Sequence, residues 1–242
     1  DEALDYIIEY YTMEAGVRNL RRQIGTIDRK FAVDYLNDPE HNKSIVVDVP
    51  LVKKYLGAEI FYHEHNVDDS QVGVINGLAY TQAGGEVLKI ECNTFPGKGS
   101  LIMTGNLGDV MKEATETALS YVRSISTELG INPNYFATHD IHVHFPESAT
   151  PKDGPSAGIA TALVILSAIT ETRIRNDVAM TGEIDLRGNS LPIGGLREKT
   201  NAAVRDHIKT VFIPSENHKD RMELPKEISD NLEIVEVKKA KD

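Results

Sequence analysis

Apolar residues recur along this chain with two periods, and the change from one to the other divides it. Residues 3–10 fit a short helix, and Thr12 stands where it would cap a second. Val17, Leu20, Ile24, Ile27, Phe31 and Tyr35 follow at steps of three and four, the spacing of an amphipathic helix of several turns. The polar, proline-bearing stretch 37–43 breaks it. Residues 45–49 read as a short strand, and residues 50–56 as one more helical turn stopped by Gly57. Together these elements outline a small, mainly helical segment over residues 1–57.

Residues 58–70 are polar and rich in charge and histidine, so they read as a connection. From residue 71 onward short strands alternate with helices. Strands are expected at 71–81, 86–93, 99–104, 140–145, 178–185, 210–213 and 233–237, with a turn at 83–85. Helices are expected at 107–129, 196–208 and, shorter, 216–222. The first of these carries Val110, Met111, Ala114, Ala118, Leu119, Val122, Ile125 and Leu129 on one side, and Gly130 ends it. The run 159–169 is apolar on almost every side, the pattern of a helix buried all round. Such a mixture implies an α/β (α+β) domain of two or three layers over residues 71–242.

Composition removes some function classes. The net charge of the 242 residues is −11, unlike the basic footprint of a nucleic-acid binder. A single cysteine, Cys92, excludes an intrachain disulfide and suits a reducing, cytoplasmic setting. The longest apolar run is too short to span a bilayer, and no signal-peptide pattern is present. The chain opens on Asp1 rather than Met and reads as a piece of a longer protein.

Candidate chemistry centres on Ser156. A loop with two prolines and two glycines delivers it to the start of the buried helix, where free backbone N–H groups and the helix dipole favour negative charge. A hydroxyl beside such donors suits acyl transfer; alternatively Asp153 or Ser156 merely caps the helix. A serine nucleophile needs a base, and two kinds are available. Asp140, His142 and His144 alternate along one strand and share a face, which is equally the pattern of an ordinary polar face. Lys199 lies on one stripe with Leu196, Thr200, Ala203, Val204 and His207, a position reserved for burial. Burial disfavours the ammonium form, in extreme cases lowering a lysine pKa to about 5–6, and a neutral amine is a competent base. The alternatives are a lysine whose amine reaches water, or one paired with Asp153 or Glu183.

Other motifs carry less. His63, Glu64 and His65 lack the spacing of a metal site. Arg18, Arg21 and Arg22 share one helix face, as a solvated stripe or as phosphate-sensing groups. Residues 97–100 lack the spacing of a phosphate-binding loop, so this chain is not expected to hydrolyse ATP.

Two long motifs carry a family resemblance. Residues 140–147 together with Pro151-Lys152-Asp153-Gly154-Pro155-Ser156-Ala157-Gly158 resemble the catalytic serine region of ATP-dependent Lon proteases. Val178-Ala179-Met180-Thr181-Gly182-Glu183-Ile184 with Gly194-Gly195-Leu196-Arg197-Glu198-Lys199 is similar to the lysine region of that family. Residues 10–18 look like its small helical AAA+ subdomain. The form of the serine motif implies the soluble A type. The resemblance implies Ser156 as nucleophile, Lys199 as general base, Thr181 as the hydroxyl orienting the amine, and Asp153 and His142 as supports. It also implies oxyanion donors at the Ser156 and Ala157 amides, a substrate groove lined by Leu78, Ala79 and Tyr80, and Arg18 as a nucleotide sensor. Tyr80 stands where many relatives carry tryptophan. Peptide hydrolysis then needs no cofactor, while the full-length protein uses ATP with Mg2+. The implied partners are unfolded or misfolded proteins and further copies of the chain, in a hexamer. Two rivals remain: an α/β-hydrolase esterase, because Gly154 to Gly158 satisfies G-x-S-x-G, and a non-catalytic assembly module. The first needs a strand running straight into the serine.

Overall fold

The structure, a computed structural model, describes residues 2–12, 14, 16–39, 44–61, 70–81 and 84–242. His63, Glu64, His65 and the residue Ala83 of the expected turn lie outside the described residues. The chain forms two units, the first comprising residues 1–64 with 82–84, the second residues 65–81 and 85–242.

In the first unit three helices, α1 (Glu2–Tyr11), α2 (Arg18–Asn37) and α3 (Val49–Leu56), enclose a core of Ile7, Tyr11, Ile27, Val52 and Tyr55. Two sequence expectations fail here for local reasons. Thr12 does not cap α2, because its hydroxyl bonds back to the Ile8 carbonyl at 2.9 Å. Glu14 takes that role instead, accepting the Asn19 and Leu20 amides at 2.7 and 2.9 Å. Those amides, that of Asn19 foremost, hold its carboxyl below the usual range. The expected strand at 45–49 is irregular chain, with Val46 fully exposed and no partner strand in this unit among the described residues. Asp48 ends it by accepting the Leu51 amide at 2.9 Å, with Pro50 in the first turn, so the segment starts α3. Val17, just before α2, and Ile24 and Tyr35 on it face solvent, and Leu20, Ile27 and Phe31 carry the packing.

The second unit opens with β1 (Gln71–Val72), β2 (Val74–Thr81), β3 (Gly84–Pro96) and β4 (Leu101–Thr104), then α4 (Asp109–Ile125), α5 (Tyr135–Thr138) and β5 (His139–His144). It continues with α6 (Gly158–Thr170), β6 (Arg173–Ile174), β7 (Val178–Met180), β8 (Glu183–Ile184), β9 (Ser190–Leu191) and α7 (Leu196–Arg205). Strand β10 (Thr210–Pro214), a 3₁₀ turn at Ser215–Asn217, α8 (His218–Met222), α9 (Lys226–Ser229) and β11 (Glu233–Val237) complete it. Seven strands make the central sheet in the order β11-β10-β7-β2-β3-β5-β4. Its β11, β10, β7 and β2 run parallel, as do β5 and β4, whereas β3 and β5 are antiparallel. The expected mixed α/β class is therefore the observed one.

Strand β2 shows how the sheet divides the interior. Ile75 and Ala79 join a core built with α4 and α6, and Leu78 joins a second core with Leu196 and Ala203 of α7. Side chains alternate across a strand, so the two cores lie on opposite faces and the sheet is the middle layer. Leu78 was expected to line a groove; its side chain is core instead, 4% exposed. Two further departures matter. The strand expected at 71–81 breaks at Gly73, whose φ of 68° and close approach to the Cys92 carbonyl exclude a side chain. The strand expected at 178–185 breaks between Met180 and Glu183, where the Gly182 amide leaves the ladder. On α4, Val110 and Leu129 are exposed, because the helix starts at Asp109 and its regular turns end at Ile125. His207 likewise leaves the α7 stripe: the helix ends at Arg205 and His207 has a φ of 58°.

Candidate active site

The break between β7 and β8 is where the two ends of the chain's chemistry meet. Strand β7 runs between β2 and β10, with Gly77 opposite Met180 and Phe212 opposite Met180 on the other side. One residue later the Thr181 amide still donates to the Phe212 carbonyl at 3.1 Å. The next amide, that of Gly182, donates at 2.8 Å to the carbonyl of Ser156 instead. The Gly182 carbonyl in turn accepts the Ile159 amide at 3.1 Å. The interrupted strand therefore pairs with the turn that carries Ser156.

That turn precedes α6 rather than belonging to it. Ala157 is the N-cap, at φ −90° and ψ 0°, and the helix has no side-chain cap. Neither Ser156 nor Asp153 serves α6 in that way. Gly158, the first helical residue, has no room for a Cβ because the Ile184 backbone nitrogen would lie 2.9 Å from it. The helix thus abuts β8, and Ser156 is held partly exposed above it. Among the described residues the Ser156 hydroxyl has no hydrogen-bond partner, and neither the Ser156 nor the Ala157 amide donates a hydrogen bond. Unpaired amides at a helix N-terminus are available to a developing oxyanion.

Lys199 comes from α7. Gly195, with φ 70°, starts that helix, and a Cβ there would strike the Tyr80 ring at 2.9 Å. The preceding loop is held by Asn217, buried, whose amide accepts the Ile193 N–H at 3.0 Å and donates to its carbonyl at 2.8 Å. Lys199 falls on the buried stripe of α7 with Leu196, Thr200 and Ala203. It is 3% exposed and, among the described residues, the one charged side chain that is fully buried. No carboxylate among them lies within ion-pair distance, so neither Asp153 nor Glu183 compensates it. Desolvation therefore lowers its pKa from 10.5 to about 8. Its amine donates to Thr181 Oγ1 at 3.0 Å, and Thr181 Oγ1 donates to the Ser156 carbonyl at 3.4 Å. Thr181 itself is 1% exposed. One buried hydroxyl thus connects the amine to the backbone of the serine.

The remaining sequence candidates are spread more widely. Asp153 accepts the Met111 amide at 3.0 Å and the Gly154 amide at 2.9 Å, so it caps α4. His142 and His144 do share a face of β5, where Thr104 Oγ1 bonds both, at 2.9 and 2.7 Å. No hydrogen bond joins either histidine to Ser156 among the described residues. Of the expected groove residues, Leu78 is buried, Ala79 is half-buried and Tyr80 is 58% exposed. Arg18 is exposed at the first residue of α2 in the other unit, with Arg21 and Arg22 also exposed. Gly182 and Asn217 were missed as contributors. Neither has a periodic signal, since both act through backbone groups of segments distant in sequence. A serine reached through an irregular loop, after β5 has ended at His144, is also not the strand-to-helix elbow of an α/β-hydrolase.

Comparison with known proteins agrees with this geometry. Residues 46–242 match the Lon protease (S16) C-terminal proteolytic domain, and residues 1–45 match the Lon protease AAA+ ATPase lid domain. The Lon protease of Mycoplasma mycoides subsp. mycoides is 51% identical over 242 residues, covering 100% of this chain and 30% of that protein. The Lon protease of Trichlorobacter lovleyi is 50% identical over 238 residues, 98% of this chain and 29% of its own length. That of Clostridioides difficile is 46% identical over 235 residues, 97% and 30% respectively. This chain spans about 30% of the length of these relatives. With matches over its whole length and a buried lysine tied through a threonine to the serine turn, the chain belongs to the Lon protease family and carries its lid and C-terminal proteolytic domains.

Proposed function

We propose that this chain hydrolyses peptide bonds with a Ser156–Lys199 dyad. The single observation that carries the reading is the burial of Lys199, uncompensated among the described residues, whose amine is bonded among them only to a hydroxyl that also holds the Ser156 carbonyl. With its pKa at about 8, a useful fraction of the amine is neutral near neutral pH. While it donates one N–H to Thr181, its lone pair remains free to take the Ser156 proton. The Ser156 oxygen then attacks the scissile carbonyl, and the oxyanion settles on the Ser156 and Ala157 amides. The protonated lysine returns its proton to the leaving amine. Water, deprotonated by the same lysine, releases the acyl group.

In the intact protein the same domain serves ATP-dependent degradation of unfolded, misfolded and short-lived regulatory proteins, in a homohexamer in the cytoplasm. No helix among the described residues is long and apolar enough to cross a membrane. For nucleotide, the first unit offers the exposed Arg18 with Arg21 and Arg22, but this chain has no glycine-rich phosphate loop. These residues do not by themselves make an ATP–Mg2+ site, and no step of peptide hydrolysis runs through it. Arg18 is proposed as the residue facing nucleotide held by the rest of the protein.

A serine-directed peptidyl phosphonate tests the dyad. The wild-type chain is expected to take one label and to cleave an unstructured fluorogenic peptide without ATP, and Ser156→Ala to do neither. The rate of labelling should rise with pH through an apparent pKa of about 8, as the lysine loses its proton. Equal labelling of Ser156→Ala would place the nucleophile elsewhere.

A further inference from the structure

Gly182 has an ordinary backbone, since its φ is not in the left-handed region, so conformation does not demand a glycine there. Space does. A Cβ on Gly182 would lie 2.7 Å from Ile159 Cδ1 and 3.2 Å from Ser190 Oγ. Real Cβ atoms essentially never come as close as the first distance, the second is a tight contact, and both neighbours are buried, at 3% exposure each. The Ile159 backbone is tied through its amide to the Gly182 carbonyl, so only the buried end of its side chain can yield. Ser190 sits in the short β8–β9 ribbon, pinned by its amide to the Lys238 carbonyl at 2.8 Å. Its hydroxyl is buried with no hydrogen-bond partner among the described residues. Gly182 is thus gripped from two sides, while its own amide and carbonyl bond the serine turn and the first turn of α6.

We propose that Gly182, held between Ile159 and Ser190, is a positioning residue of the dyad. The proposal rests on the Ser156–Lys199 reading. Its amide fixes the Ser156 carbonyl, and the adjoining Thr181 presents its hydroxyl to the Lys199 amine. A displacement of this one peptide unit moves both halves of the site together. A misplacement of about 1 Å is enough to slow an oriented reaction by roughly a hundredfold.

The test is Gly182→Ala in the full chain, assayed on a fluorogenic peptide at a temperature where circular dichroism reports it folded. The expected result is a kcat lower by about tenfold or more with KM within about twofold, since the substrate groove is untouched. The apparent pKa of the pH–rate profile should move up from about 8 as the amine loses its dry setting. Ile159→Val in the Gly182→Ala background removes the Cδ1 that the new methyl strikes, and should restore most of kcat and the original profile. A Gly182→Ala chain with kcat within twofold of wild type overturns the proposal. So does a folded double variant that recovers neither rate nor pH profile. If Gly182→Ala fails to fold, Ile159→Ala empties one side of the grip: a kcat reduced severalfold at unchanged KM supports the proposal, and an unchanged kcat overturns it. Wild-type chain that neither cleaves the peptide nor takes the phosphonate label refutes the dyad itself, an outcome distinct from loss confined to the Gly182 variants.

Discussion

Helices α6 and α7 carry the two halves of the site in opposite ways. Helix α6 is apolar all round and buried, yet Ser156 stands outside it, in a turn fixed by backbone bonds to the broken strand at Gly182. Helix α7 is amphipathic, and Lys199 lies within it, held by its own helix on the stripe that packs against the sheet. The proposed nucleophile is therefore positioned by peptide groups of a distant segment, the proposed base by the burial of its own helical face. The difference predicts how each half fails. Loss of the base should leave the fold intact or better, because a buried charge is removed. Loss of the backbone clamp should leave the base buried but misplaced.

The largest effect expected from breaking this contrast is that of Lys199→Met. Peptidase activity should fall by a factor of about 10⁴ or more, as when a catalytic base is removed, while thermal stability stays equal or rises. The pH dependence gives the sign. The Lys199 pKa is about 8 folded against 10.5 unfolded, so below pH 8 both states are protonated and the burial penalty is fully present. Between 8 and 10.5 the unfolded chain binds more protons, and wild-type stability rises with pH. The methionine variant should therefore gain most below pH 8, by up to about 3 kcal/mol, and little above pH 10.5. Thermal melts of both chains at pH 7 and pH 10 check this; a variant destabilised at pH 7 would contradict the burial argument.

Thr181→Val comes next. It keeps the shape and removes the hydroxyl between the amine and the Ser156 carbonyl, so kcat should drop by roughly tenfold to a hundredfold, the worth of one charge-assisted hydrogen bond. Steady-state kinetics with an unchanged KM would assign the loss to orientation of the base. His142→Ala should have the smallest effect. Among the described residues its side chain is hydrogen-bonded to Thr104 and not to Ser156 or Lys199, and a change of more than about fivefold is not expected. A complete loss in His142→Ala, with Lys199→Met still active, would replace the lysine by a histidine base.

Much of this was legible before any coordinates. The burial of Lys199 followed from its place among Leu196, Thr200 and Ala203, because a 3.6-residue period reports which face packs. The all-round apolar run identified α6 as buried for the same reason. The strand at 45–49 was misread because β-branched composition says nothing about whether a partner strand exists. Thr12 was preferred to Glu14 as a cap because residue type was visible and the path of the chain between α1 and α2 was not. Leu78 was assigned to a groove, while alternation along β2 sends its side chain into the second core. The interruption at Thr181 and Gly182 left no trace, since residues 178–185 read as one continuous strand.

Periodicity and residue chemistry thus determined the mixed class, the buried helix, the buried lysine and, through two long motifs, the family. They are local properties, set by neighbours three or four positions away. Tertiary structure alone decided that Thr181, implied by the resemblance to orient the amine, also bonds the serine turn, that Gly182 holds that turn, and that Asp153 serves α4. Each depends on peptide groups or side chains brought together from segments 18 or more residues apart, and backbone hydrogen bonding carries no side-chain signature by which a sequence could announce it.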